Sequence, residues 1–289
     1  MKRFVLLALA LVLALPAFAT FRVGYGERDI TPVEPMPMWG YAARRDALSE
    51  GVLDPLYAKA VVIDVGDDKL ALVGLDLGRG PTEAMMGEIR AAVKAASGVN
   101  WVLISGSHTH HGPVIELLDE PDRGQGKFDY AVTYAKELPG KIIEAINEAA
   151  ASTVDGRIGW GSRDTDLNRN RHTKKTPKPR DPELAVVRFD DLEGNPIAVM
   201  VNFAAHPTVH KMMDLRFTSE WPGHMQASVE DRMATHCFFM QGAAGDMSAN
   251  TSDERRGIDG FGKAMADVVI EIARGIETRE PEQPGVRGM

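Results

Sequence analysis

The chain has 289 residues, of which 44% are hydrophobic, and its formal net charge at pH 7 is −8. This length and apolar content suffice for one sizeable α/β domain. The acidic balance argues against a nucleic-acid-binding function, which needs Lys and Arg on phosphates, and the basic cluster between Arg169 and Arg180 is too small to reverse it. The single cysteine, Cys237, excludes an intramolecular disulfide and is expected to be a small core residue.

The first 19 residues are typical of a secretory signal peptide. Lys2 and Arg3 precede an apolar run at 4–18, and the segment ending at Ala19 has the small residues that a signal peptidase accepts. The apolar run is short for a membrane span, and no stop-transfer flank follows it. We therefore predict cleavage near Ala19 and a mature chain that is secreted or periplasmic.

Strand and helix patterns alternate along the rest of the chain. Strands are predicted at 21–25, 58–65, 69–77, 100–107, 156–162, 184–189, 196–203 and 236–240. Turn residues at 66–68 and 192–195 predict that 58–65 and 69–77, and likewise 184–189 and 196–203, form hairpins. Helices are predicted at 82–96, at 128–151 as one or two helices around Pro139-Gly140, from Ser219 as N-cap to about 233, and at 260–276. Residues 166–182 are predicted to be a long polar loop. We expect an α/β fold with one or two mixed sheets flanked by helices, as in metal hydrolases. It should form a single domain over residues 20–278, followed by a polar tail or linker at 279–289.

Polar residues follow several of the predicted strands. Ligands gather at the carboxyl ends of strands in such folds, so one common cleft is expected there. Its candidate residues are Asp76, His108, His110, His206, Asp246 and Ser248. The Pro- and aromatic-rich segment 35–41 cannot be a regular element, and its Met36, Met38, Trp39 and Tyr41 either line an apolar cleft or cap the core.

The sequence His108-Thr-His-His111 directly follows a core strand. If the strand continued, His108 and His110 would share one face and His111 would point to the other. Two adjacent imidazoles can hold a metal ion or transfer protons. His206 alone is better explained as an imidazole that caps a strand, but with the other two histidines present a metal site is the better explanation.

The remaining candidates are less specific. Asp246 is a metal ligand, a residue that orients a histidine, or a turn residue, and Ser248 lies outside any Gly-x-Ser-x-Gly motif. Surface or packing roles are expected for His210, His224 and His236, and His172 is undecided.

Several motifs resemble, in order, those of the neutral/alkaline non-lysosomal ceramidases. They are Val23-Gly-Tyr-Gly-Glu-Arg-Asp-Ile-Thr-Pro32, Gly40-Tyr-Ala42, Leu75-Asp-Leu-Gly78, Ser107-His-Thr-His-His-Gly-Pro113, Leu167-Asn-Arg169, Phe203-Ala-Ala-His-Pro-Thr208 and Gly245-Asp-Met-Ser-Ala-Asn250. The resemblance implies hydrolysis of the ceramide amide bond with one zinc ion. It implies that His108 and His206 are zinc ligands and that His110 contacts the reacting water or substrate. It also implies that Arg169 is the active-site arginine, and that Ser248 matches the serine long considered catalytic.

The chain departs from this family at His111, Ala249 and Leu53, where Ser, Pro and His are usual. The family's remaining zinc ligands, a Glu and a Tyr, lie beyond the end of this sequence. Either the sequence is a fragment, or local acids complete the site, for which the candidates are Asp76, Glu220 and Asp246.

Two hypotheses follow from the sequence. The first is an exported, zinc-dependent amidohydrolase that acts on ceramide or another small-molecule or lipid N-acyl amide. Such a substrate would allow transient contact with a membrane surface, and the sequence does not indicate an oligomeric state. The second is a catalytically inactive relative that binds a lipid or carbohydrate in the same cleft.

Overall fold

A computed structural model of the chain describes residues 20–116 and 123–286, so the predicted signal peptide lies outside the described residues. The strands are β1 (Arg22–Asp29), β2 (Gly51–Val52), β3 (Tyr57–Val65), β4 (Asp68–Leu75), β5 (Trp101–Gly106), β6 (Val154–Asp164), β7 (Asn168–Asn170), β8 (Glu183–Asp191), β9 (Pro196–Phe203), β10 (Arg216–Phe217), β11 (His236–Gln241) and β12 (Met247–Ala249). The helices are α1 (Glu83–Ser97), α2 (Asp129–Ala151), α3 (Glu220–Met233) and α4 (Gly257–Gly275), with a short 3-10 helix at Ala42–Arg44.

Eight strands form one mixed sheet in the order β11-β9-β8-β6-β1-β3-β4-β5. Most neighbours are antiparallel, including the predicted hairpins β3–β4 and β8–β9. Two neighbouring pairs of this sheet, β4–β5 and β9–β11, are parallel. The predicted α/β fold with a mixed sheet is therefore confirmed. Two small sheets, β2–β10 and β7–β12, lie outside the large sheet.

The large sheet folds back on itself, so the molecule has four layers. Alternate residues of β3 face in opposite directions: Ala58, Ala60 and Val62 pack with α1 and α2, whereas Val61 and Ile63 pack against β8, β9 and β11. The opposite half of the sheet has the same alternation and packs its outer face against α3 and α4. The core is thus divided into two helix–sheet clusters and one sheet–sheet cluster, as expected for two packed sheet halves.

Of the four α-helices described, only α1 begins with a side-chain N-cap. The hydroxyl of Thr82 accepts the Met85 N–H at 3.4 Å. Ser219 occupies the N-cap position of α3 but makes no capping bond, because its hydroxyl donates to Asp54 instead. The interruption considered at Pro139-Gly140 is absent: α2 is one helix with Pro139 buried inside it. Packing of α2 on β1 and β3 compensates for the hydrogen bond that Pro139 cannot donate.

The predicted polar loop at 166–182 contains the short strand β7, and the expectation of a loop throughout was therefore wrong. β7 pairs antiparallel with β12, which places Arg169 opposite Ser248. The strand was not predictable from hydrophobic periodicity because the whole segment is polar. Two asparagine side chains stabilise this strand. Asn168 donates to the backbone carbonyls of Asp181 and Ala204, and Asn170 donates to that of Pro179.

The C-terminal segment continues along the sheet beyond the predicted domain boundary at 278. Arg279 and Ile158 of β6 exchange two backbone hydrogen bonds of 3.0 Å each. Within the described residues, no helix combines the length and apolar character needed to cross a membrane.

We expect Gly26→Ala to destabilise the fold. A Cβ at this position of β1 would lie 2.4 Å from the Ala145 carbonyl oxygen and 2.7 Å from the Ala149 nitrogen of α2. Because backbone atoms cannot move aside cheaply, such overpacking should lower the free energy of unfolding by about 1–3 kcal/mol, measured by urea denaturation. Gly87→Ala is the matched control, since it lies in α1 with no atom within 4 Å and should stabilise by about 0.5–1 kcal/mol. Equal stability of the two variants would contradict this account of the β1–α2 contact.

Candidate metal centre

Three histidines from two separate parts of the chain meet at the end of the large sheet. Ring nitrogens of His108, His110 and His206 all lie within 4.8 Å of one another. The ring centroids of His108 and His206 are 4.4 Å apart, and that of His110 lies 5.3 Å from each. His108 and His110 follow β5, and His206 follows β9, so the parallel strand pairs bring the three rings together.

The backbone route to this cluster differs from the predicted one. β5 ends at Gly106, and His108 has a φ of 70°, in the left-handed region that non-glycine residues rarely adopt. The expectation that His108 and His110 share one face of a strand was therefore wrong. They approach each other in a turn that is held by the His108 N–H bond to the Leu77 carbonyl at 2.9 Å. The ring of His111 points elsewhere, with its Nε2 3.2 Å from the Lys211 carbonyl oxygen.

Backbone carbonyls fix the tautomers of two of the rings. The Nδ1 of His108 lies 2.9 Å from the Gly78 oxygen, and the Nδ1 of His206 lies 2.8 Å from the Ala244 oxygen. Since a carbonyl only accepts, each Nδ1 must carry the proton, and each Nε2 keeps its lone pair. This second hydrogen bond from an imidazole is the arrangement that metal-ligating histidines usually have.

His110 supplies the strongest indication of a ligand. Both of its ring nitrogens are buried, and neither has a hydrogen-bond partner among the described residues. A buried polar atom without a partner is costly and requires an explanation. A cation held between the three rings would satisfy one of these nitrogens, so the residues present fit a metal ion.

The local electrostatics keep the three rings neutral. Burial, reinforced by the other histidines and by Arg171, lowers the pKa of His110 to about 3. Burial also lowers the pKa of His206 to about 4 and lowers that of His108. Neutral imidazole is the form that binds zinc, so no proton has to be displaced near pH 7.

Two aromatic side chains enclose His110. The rings of Trp39 and Tyr41 lie 5.1 Å and 4.6 Å from it in edge-on contact. Gly40 between them has a φ of 100°, and a Cβ there would lie 2.4 Å from Cγ of His110. Of the two roles left open for segment 35–41, Met36 and Met38 belong to the core, whereas Trp39 and Tyr41 line the histidine cluster.

Arg171 contacts the cluster directly, although only the basic composition of its segment indicated it in the sequence. Its Nη2 donates to the Gly245 oxygen at 3.0 Å and lies 3.1 Å from Nδ1 and 3.2 Å from Nε2 of His206. A donor nearly equidistant from both ring nitrogens lies over the face of the ring and is not in line with the Nε2 lone pair. A metal ion on Nε2 would place a second positive charge close to this guanidinium, which also lines the adjacent cavity.

The predicted catalytic residues Arg169 and Ser248 lie side by side in that cavity. They face each other across β7 and β12, and both line a cavity of about 850 Å³ that Arg171 also lines. The Ser248 hydroxyl oxygen is buried without a hydrogen-bond partner among the described residues. The His206 backbone forms a bridge to Ser248, so the cavity adjoins the histidine cluster, although none of the three histidines lines it.

The three acids considered as further ligands are not part of this cluster. Asp76 accepts the Tyr57 N–H at 3.0 Å, and burial raises its pKa to about 7. Glu220 is fully buried and accepts the N–H groups of His210 and Trp221. Asp246 is exposed and accepts the side-chain amide of Asn170 at 2.6 Å. Each acid is thus held in another hydrogen-bond network, and none belongs to the close group of three histidines.

The other histidines have separate partners. His224 contacts Asp54 at 3.3 Å and Asp259 at 2.6 Å, His210 contacts Asp214 at 3.0 Å, and His172 is exposed.

A second close group contains Glu27, Glu230 and His236. Its carboxylates already have partners, since the Tyr25 hydroxyl donates to Glu27 at 2.7 Å and Lys59 pairs with Glu230 at 2.6 Å. The hydrogen bonds present account for this group without a metal.

Comparison with known proteins gives a consistent result. Residues 21–260 match the family model described as neutral/alkaline non-lysosomal ceramidase, N-terminal. The chain is 28% identical over 242 residues to a neutral ceramidase of Drosophila pseudoobscura pseudoobscura. This alignment covers 74% of this chain and 32% of that protein. It is 25% identical over 274 residues to the neutral ceramidase of Pseudomonas aeruginosa, and this alignment covers 83% of this chain and 39% of that protein. The chain thus spans well under half the length of these relatives.

Two solved structures share the fold. The crystal structure of neutral ceramidase from Pseudomonas aeruginosa matches with a TM-score of 0.77 and 22% identity, covering 89% of this chain and 45% of that one. A structure described as ceramidase complexed with C2 matches with a TM-score of 0.75 and 23% identity, covering 89% and 44%.

We predict that Gly40→Ala weakens metal binding, because its Cβ would displace the His110 ring. The zinc affinity, measured by competition with a chromophoric chelator, should fall by at least about tenfold, as for other changes that misorient a ligand. Gly98→Ala is the control, since Gly98 also has a positive φ, of 73°, but no atom lies within 4 Å of the added Cβ. Equal zinc affinity of both variants would contradict the assigned role of Gly40.

Proposed function

This chain belongs to the neutral/alkaline non-lysosomal ceramidase family, and we propose that it is a zinc-dependent hydrolase that cleaves the amide bond of ceramide or a related N-acyl amide. The names of its relatives support the reaction class. The single observation that supports the metal best is the pair of buried, unpartnered ring nitrogens on His110, next to two imidazoles whose Nε2 lone pairs are free of protons.

The three histidines would hold the ion through their ring nitrogens. A zinc ion bound there would lower the pKa of its bound water to about 7 and would polarise the amide carbonyl. His110 is the third ligand in this proposal, and the alternative role, which the family resemblance implies, is that it carries a proton to the leaving amine. Zinc binding by His110→Ala distinguishes them, because the affinity falls only in the first case.

Other side chains of the chain would act on the substrate. The guanidinium groups of Arg169 and Arg171 offer donors for negative charge that develops on the carbonyl oxygen. The unpartnered hydroxyl of Ser248 offers a hydrogen bond at the same cavity. Trp39 and Tyr41 cover His110 and would limit the access of bulk water to it.

Export of the mature chain, secreted or periplasmic, is part of this proposal. It is supported by the charged start, the apolar run and the small residues that end at Ala19. An exported hydrolase of this type would meet a lipid substrate at a membrane surface by transient contact.

One observation favours a second function. The guanidinium of Arg171 lies over the ring of His206, 3.2 Å from the Nε2 where a metal would bind. A catalytically inactive relative that binds a lipid or carbohydrate without metal could keep this contact permanently. Metal content separates the two functions, since only the hydrolase requires the ion.

We expect purified, zinc-loaded protein to hydrolyse a fluorescent N-acyl amide, and His206→Ala or a chelator to lower the rate by at least about a hundredfold. The reason is that several kcal/mol of metal-derived stabilisation would be lost. His172→Ala serves as the control, because this exposed neighbour of Arg171 is outside the cluster. Undiminished hydrolysis by metal-free protein would refute the zinc mechanism, and a protein that neither retains zinc nor hydrolyses the amide would favour the binding function.

A further inference from the structure

The cavity beside the histidine cluster has an unusual charge for this protein. It measures about 850 Å³ and is lined by three arginines, Arg169, Arg171 and Arg256, against one acid, Asp253. The chain as a whole carries a net charge of −8. A positive cavity of ligand size in an acidic protein indicates selection for an anionic group.

Two of these arginines are available to a ligand. Among the described residues, the side chains of Arg169 and Arg256 have neither an ion pair nor a hydrogen bond. The neighbouring Arg255, by contrast, is paired with Asp166 through two bonds of 2.8 Å and 3.1 Å. The free guanidinium groups therefore line the cavity, whereas the paired one lies outside it.

The third arginine connects the cavity to the site of the proposed reaction. Arg171 lines this cavity, and its guanidinium also lies 3.1 Å from Nδ1 and 3.2 Å from Nε2 of His206. An anionic group bound by Arg169 and Arg256 would thus lie next to the histidine cluster. Guanidinium groups recognise carboxylates and phosphates through paired, charge-assisted hydrogen bonds.

The rest of the cavity lining is also polar. Hydroxyl groups come from Thr208, Ser248, Thr251 and Ser252, and the hydrocarbon side chains are the small Val209 and Ala249. The long hydrocarbon chains of an uncharged lipid amide would gain little apolar contact here. An acidic group would gain both charge and hydrogen bonds.

From these observations we infer that the preferred substrate is an N-acyl amide that carries an anionic oxygen group close to the scissile bond, as an N-acyl amino acid does. The carboxylate or phosphate is bound by Arg256 and Arg169. This inference rests on the proposed amide hydrolysis and specifies its substrate class.

The test compares matched ligands and matched variants. N-octanoylglycine and its uncharged counterpart N-octanoylglycinamide are titrated into the zinc-loaded protein by calorimetry, and their hydrolysis is followed in parallel. N-octanoyl phosphoethanolamine is the third ligand, and its affinity relative to the glycine derivative identifies phosphate or carboxylate as the better anion. Arg256→Gln removes one free guanidinium, and Arg255→Gln removes a charge at the adjacent position outside the cavity.

The unmodified protein should bind an anionic ligand about tenfold more tightly than the glycinamide, as expected for charge-assisted hydrogen bonds in a partly open cavity. Arg256→Gln should reduce this ratio to about two, and Arg255→Gln should retain it, because its exposed ion pair contributes little.

Equal binding of all three ligands, or an equal loss in both variants, would overturn the inference. Hydrolysis without an anion preference would refute only the substrate class. An anion preference without hydrolysis would support the binding site and refute the proposed reaction.

Discussion

Two backbone carbonyl oxygens determine the geometry of the candidate metal centre. The Gly78 oxygen orients His108 and the Ala244 oxygen orients His206, so that both imidazoles keep an Nε2 lone pair directed at one position. Gly78 follows β4, and Ala244 follows β11. The two parallel strand pairs of the large sheet therefore supply the histidines and also the acceptors that orient them. Because the large sheet folds back on itself, the carboxyl ends of β4, β5, β9 and β11 lie together. Ligands of α/β folds usually bind at the carboxyl ends of strands.

Arg171 is shared between the histidine cluster and the neighbouring cavity. Its guanidinium lies over the ring of His206, so a cation on Nε2 would add a like charge next to it. An anion bound among Arg169, Arg171 and Arg256 would offset that charge. Metal binding and anion binding would then favour each other through one side chain.

The sequence was sufficient to predict the fold class, the two hairpins and most helix boundaries, because hydrophobic periodicity and turn residues carry that information. It also indicated His108, His110 and His206 as one group. His108 and His110 do not share the face of a strand as expected, since the left-handed backbone at His108 depends on tertiary hydrogen bonds that no local pattern encodes. Arg171 was missed because β7 is polar and is held by asparagine side chains rather than by apolar burial. The acids considered as ligands lie outside the histidine cluster because position after a strand does not specify where a carboxylate finds its donors.

The central claim is that three histidines of this chain bind one zinc ion. X-ray absorption spectroscopy at the zinc edge of the metal-loaded protein tests it most directly. The account predicts three imidazole nitrogen scatterers at about 2.0–2.1 Å, with any remaining ligand an oxygen at a similar distance. A spectrum with sulfur at about 2.3 Å, or one with only oxygen neighbours and no imidazole scattering, would contradict it.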